Sequence, residues 1–82
     1  MSSISDQENL YERIALNIKK YRKEANITQA TLAERIGVSH EFIRRIESKK
    51  GQKTFSVETL YKISLVLNIS IDKLFEDNKK SD

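Results

Sequence analysis

The densest cluster of chemically versatile side chains lies in the segment His40-Glu41-Phe42-Ile43-Arg44-Arg45-Ile46-Glu47. An arginine presents a planar fork of donors that can grip two acceptors at once, a carboxylate accepts, and an imidazole can do either. Such a set suits directional hydrogen bonding to a polar or anionic surface. It does not suit catalysis. The chain has a single His and no Cys, no Ser or Cys nucleophile stands at a recognisable spacing from His40, and neither Gly37 nor Gly51 sits in a phosphate-binding glycine loop. A zinc site would have to be assembled mainly from carboxylates, so neither metal nor cofactor is expected. With 82 residues, little volume is left for a small-molecule substrate pocket.

Charge is modest in total and uneven in place. Fifteen Lys and Arg against twelve Asp and Glu give a net charge of +3. Residues 1–12 carry Asp6, Glu8 and Glu12 and no base, whereas residues 13–24 carry Arg13, Lys19, Lys20, Arg22 and Lys23 against Glu24 alone. Lys49, Lys50 and Lys53 form a second basic stretch without an acid. If the fold joins the two stretches, the resulting face suits a polyanion such as DNA; an ordinary solvated surface fits the same charges. No apolar run approaches the ~18 residues that span a bilayer, and the N-terminus lacks the pattern of a signal peptide, so a cytoplasmic chain without membrane contact is expected.

The elements that must position these groups read as helices. Pro is absent and Gly occurs twice, so boundaries are marked by cap residues and apolar spacing. Leu10, Ile14, Ile18, Tyr21 and Ala25 recur every three or four residues and predict a first helix over 8–25. Thr28 caps a second helix with Leu32, Ala33 and Ile36 inward, ended by Gly37. Ser39 caps a third, running to about Ser48, with Ile43 and Ile46 inward. Ser56 caps a fourth with Leu60, Ile63 and Leu67 inward, stopped at Asn68, and Ser70 caps a short fifth bearing Ile71, Leu74 and Phe75. The fold class is all-α with five helices, in one domain over 9–76 between a flexible arm at 1–8 and a charged tail at 77–82.

Two short helices joined by a glycine turn, over about 28–48, form a helix-turn-helix, although a generic helical corner has the same periodicity. The residues themselves carry more information. The segment TQATLAERIGVSHEFIRRIE resembles the signature of the Cro and lambda-repressor-like, or XRE, family of bacterial and phage regulators. The resemblance rests on Gln29, Leu32-Ala33, the turn Gly37-Val38-Ser39, Ile43, Ile46 and Glu47, and extends over roughly 9–76. Two departures stand out. Ser48-Lys49-Lys50 precede Gly51 where many members have one residue and then Gly, and Thr54 and Phe55 occupy the neighbourhood of the usual loop Pro.

The resemblance implies a sequence-specific regulator of transcription whose third helix enters the major groove. His40, Glu41 and Arg45 would then read base edges, with Arg44 reading a base or touching phosphate. Gln29 matches a phosphate-gripping position, and Ser39, Lys49, Lys50, Lys53 and Thr54 are further phosphate candidates. Arg22 and Glu47 match a structural ion pair between the first and third helices.

One short recognition helix reads few base pairs, so a homodimer on a palindromic operator of double-stranded DNA is expected. Leu67, Ile69, Ile71, Leu74 and Phe75 are the candidate dimer interface, with a purely internal role as the alternative. A repressor is the leading reading. A phage repressor, a restriction–modification controller and an antitoxin-like autoregulator all fit, as does, in a different class, a protein-interaction module that has lost DNA binding.

Overall fold

A computed structural model describes residues 4–48 and 55–77, without the side chains of 4–9. Four α-helices, α1 (Ile4–Glu24), α2 (Gln29–Ile36), α3 (His40–Glu47) and α4 (Val57–Leu67), precede a 3-10 helix at Ile71–Phe75. Every regular element among the described residues is helical, as expected, but the fifth is a 3-10 and not an α-helix. The first helix also starts at Ile4, ahead of the expected Glu8; no Pro or Gly interrupts that stretch.

One device is used three times to stop a helix and turn the chain. Asn26, Gly37 and Asn68 adopt left-handed backbone, with φ of 58°, 80° and 61°. The N–H of the apolar residue that follows then bonds back five residues: Ile27 to the Arg22 carbonyl, Val38 to that of Ala33 and Ile69 to that of Ser64. This is the Schellman closure. Ile27, Val38 and Ile69 all pack against the core. After the first two, the next residue starts a new helix at once, the Thr28 and Ser39 hydroxyls accepting from the Thr31 and Phe42 N–H groups. Ser56 caps α4 in the same way.

The third stop differs. Ser70 makes no side-chain cap and instead donates its hydroxyl to the Asp72 carboxylate. Backbone bonds from Lys73 to Ser70 and from Glu76 to Lys73 wind the segment as 3-10. Helix α1 takes up the carbonyls at its end. The Asn17 amide donates to the Leu74 and Glu76 carbonyls at 2.8 and 2.9 Å, and Tyr21 donates to the Glu76 carboxylate at 2.7 Å. Asn17, wholly buried, is the polar pin of this end of the fold.

The core gathers Ile14 and Ile18 of α1, Leu32, Ala33 and Ile36 of α2, Ile43 and Ile46 of α3, Leu60, Ile63 and Leu67 of α4, and Leu74. Leu10 and Tyr21 flank it, but Ala25 is exposed, so the α1 stripe ends one turn earlier than its spacing suggests. Leu67 and Leu74, both named above as candidate dimer contacts, lie in this core of the single chain, 5% and 0% exposed. Ile69 and Ile71 are half-buried and Phe75 is exposed. Val57, Tyr61 and Leu65, at i, i+4 and i+8 of α4, form an exposed apolar stripe that periodicity did not single out. No described helix is long and apolar enough to cross a membrane.

Candidate nucleic-acid interface

Helices α2 and α3 meet through the three-residue link Gly37–Ser39. Gly37 needs its left-handed φ, and open space surrounds the place a Cβ would occupy, so backbone conformation and not crowding selects glycine there. Ile43 and Ile46 point into the core, which turns His40, Glu41, Arg44 and Arg45 outward; all four are exposed. The expected base readers thus share the outer side of α3. Glu41 and Arg44 pair with each other at 3.1 Å across one turn, both largely in solvent. That pair contributes little to stability and leaves both groups able to exchange partners.

Behind this face lies a buried tie. Arg22, at the end of α1, grips Glu47, at the end of α3, with Nε to Oε2 at 2.7 Å and Nη2 to Oε1 at 3.0 Å. The two side chains are only 9% and 3% exposed. The third guanidinium nitrogen, Nη1, donates to the Ile27 carbonyl at 2.8 Å, so one arginine joins two helices and the turn between α1 and α2. A planar, bidentate pair of this kind fixes angle as well as distance. It therefore sets the tilt of α3 against the rest of the molecule.

Gln29, the first residue of α2, is half-buried and extends the tie outward. Its amide nitrogen donates to Glu47 Oε1 at 2.9 Å, and its oxygen lies 3.2 Å from His40 Nε2. Sequence spacing places Gln29 near a helix N-terminus but gives no hint of this bridge, because its partners stand 18 and 11 residues away. Asn17 is equally silent in the sequence: a lone Asn in an apolar stripe reads as surface. Ser39, expected at phosphate, uses its hydroxyl oxygen to accept from the Phe42 N–H, with its own proton left to donate. Lys49, Lys50, Lys53 and Thr54 lie outside the described residues.

The Helix-turn-helix family pattern matches residues 18–74 of this chain. The HTH-type transcriptional regulator SinR of Bacillus subtilis is 33% identical over 69 residues, covering 84% of this chain and 61% of SinR. An uncharacterized HTH-type transcriptional regulator of Archaeoglobus fulgidus is 41% identical over 58 residues, covering 71% of this chain and 79% of that one. The cryptic phage CTXphi transcriptional repressor RstR of Vibrio cholerae is 40% identical over 62 residues, covering 76% and 54%. The crystal structure of SinR in complex with DNA matches with a TM-score of 0.69 at 36% identity, over 77% of this chain and 98% of that one. This chain spans about three fifths of SinR's full length and about half of RstR's. The relatives are regulators of transcription and not enzymes, in line with the absence of catalytic spacing around His40. The chain belongs to the XRE-like helix-turn-helix family.

Proposed function

We propose that this protein is a sequence-specific DNA-binding regulator of transcription, a repressor that occupies a palindromic operator as a homodimer and lays α3 in the major groove. The observation that carries the reading is the outward row His40, Glu41, Arg44 and Arg45 on a helix whose tilt is fixed by the buried Arg22–Glu47 pair. Rigid presentation of base-edge donors and acceptors is what a groove reader requires. The match to DNA-bound SinR and the repressor RstR support it.

In this reading Arg45 and Arg44 offer bidentate donors to guanine, Glu41 accepts from cytosine, and His40 lies at the entry of the helix. Gln29 and Ser39 contact phosphate at the N-termini of α2 and α3, joined by Lys49, Lys50, Lys53 and Thr54. The binding domain spans 9–76. The second copy packs on apolar surface that the core leaves open, including Phe75, with Ile69 and Ile71 beside it. A cytoplasmic location follows from the role.

Selection of random duplex DNA on the purified protein, with sequencing of the bound fraction, tests this directly. An enriched palindrome with half-site centres ~34 Å apart along the helix is expected. Absence of any enriched sequence at low salt overturns the reading. Affinity should also fall about 10³–10⁵-fold between about 50 and 200 mM salt if a dimer engages about 6–10 phosphates.

A further inference from the structure

We infer that the buried Arg22–Glu47 pair, acting through Gln29, fixes which ring nitrogen of His40 faces the groove, and so makes His40 a reader of bases that present an amino group, adenine or cytosine. The inference rests on α3 being the recognition helix and adds to that reading a specificity rule for one position.

Hydrogen-bond polarity propagates outward from the core. Both oxygens of Glu47 accept from the Arg22 guanidinium, so this carboxylate acts as an acceptor only. Gln29 approaches Oε1 at 2.9 Å. Only the nitrogen end of an amide can donate to such an oxygen, which settles the orientation of the Gln29 side chain. Its oxygen end is thereby turned to His40, 3.2 Å from Nε2. An amide oxygen accepts and never donates, so Nε2 must carry a proton. In a neutral imidazole one nitrogen donates and the other accepts, and Nδ1 is left with its lone pair.

His40 is the first residue of α3 and exposed, at the end of a recognition helix that reaches base edges. An acceptor there is complementary to the adenine N6 and cytosine N4 amino groups. It meets only acceptors on guanine N7 and O6 and on thymine O4. Gln29 and Glu47 are positioning residues in this scheme, since neither needs to touch the base. The second N–H of the Gln29 amide stays available to a phosphate, so both assignments of Gln29 are compatible.

The chain's single histidine makes the ring nitrogens directly assignable by nitrogen-15 NMR of the free protein. Recorded at a pH that keeps the ring neutral, the expected result is a protonated Nε2, an unprotonated Nδ1, and averaging of the two nitrogen signals in Gln29→Met, which removes the acceptor at similar length. A protonated Nδ1 with bare Nε2 in the native chain, or an unaltered ring spectrum in Gln29→Met, overturns the relay without reference to DNA.

Duplex selection then tests the consequence. Native protein should select adenine or cytosine at the operator position that His40→Ala leaves unspecified. Gln29→Met should relax that position by about fivefold or more relative to the other positions of the motif, on top of a sequence-independent loss of affinity from its phosphate contact. Guanine or thymine at that position within an otherwise clear motif overturns the base rule alone. If the native protein enriches no sequence, the DNA-binding reading falls and the base rule with it, whatever the NMR result.

Discussion

Tyr21 and Arg22 are neighbours on α1, and each ties that helix to a glutamate at the end of another element, yet the two ties differ in kind. Arg22 holds Glu47 through two bonds in a nearly dry setting and adds a third bond to the turn. Tyr21 holds Glu76 through one bond on a wetter edge, where Lys73 also lies 3.3 Å from the carboxylate. The first tie determines where the recognition helix points; the second only fastens the end of the 3-10 segment. Burial and multiplicity of bonds have gone to the tie that controls geometry.

The sharpest way to break the comparison is to remove one partner from each tie. Glu47→Ala leaves the Arg22 cation buried and unpaired and is expected to cost about 3 kcal/mol of unfolding free energy. It also releases Gln29, so operator affinity should drop even where the protein is still folded. Chemical denaturation of both proteins measures the first effect, and a stability within about 0.5 kcal/mol of the native protein would show that water compensates the arginine. On the other side of α1 the larger loss comes from Asn17, not Tyr21. Asn17→Ala strands the Leu74 and Glu76 carbonyls, at a cost of about 1–3 kcal/mol, and should loosen the 3-10 segment without altering base preference. Amide hydrogen exchange over residues 71–77 reads that loosening.

The contrast also divides what the sequence discloses from what it withholds. Thr28, Ser39 and Ser56 announce helix starts because a cap is a local device, complete within four residues. Gly37 and Asn68 announce stops for the same reason, and the outward row on α3 follows from the inward pair Ile43 and Ile46. Ser70 misleads because the same residue type can satisfy a neighbouring carboxylate instead of a backbone N–H. Asn17, Gln29 and Tyr21 are opaque because their partners come from distant turns. The burial of Leu67 and Leu74 is not legible in the sequence, because apolar residues cannot be apportioned between core and surface without knowing how α4 lies on α1.

Of intermediate size is a test of the repeated stop. Asn26 and Asn68 sustain the same left-handed backbone as Gly37, and nothing crowds a side chain at 37. Gly37→Ala is therefore expected to cost about 1 kcal/mol, from backbone conformation alone, and Gly37→Asn measurably less. Equal losses for the two would mean that the α2–α3 turn, unlike the other two stops, needs glycine for a reason beyond φ. Thermal unfolding of the pair distinguishes the cases.

The smallest effect belongs to the Tyr21 tie and is best seen in its pH dependence. The hydrogen bond to Glu76, followed by partial burial, raises the Tyr21 phenol from its ordinary 10.0 to about 12. The folded state then keeps a proton that the unfolded chain releases, so the stability from this group is intact below pH 10 and is lost as pH rises toward 12. The same bond from Tyr21 holds the Glu76 carboxyl below its ordinary value. That contribution is present above the usual carboxylate range and disappears as pH falls through the folded value. Glu76→Ala should return the Tyr21 titration toward 10.0, followed at its own ring resonances, while leaving the orientation of α3 and the selected operator unchanged. An unmoved Tyr21 titration would assign the shift to burial and leave Asn17, with the Arg13 bond to the Phe75 carbonyl, to fasten the 3-10 segment; a changed operator preference would mean that the two ties communicate along α1 after all.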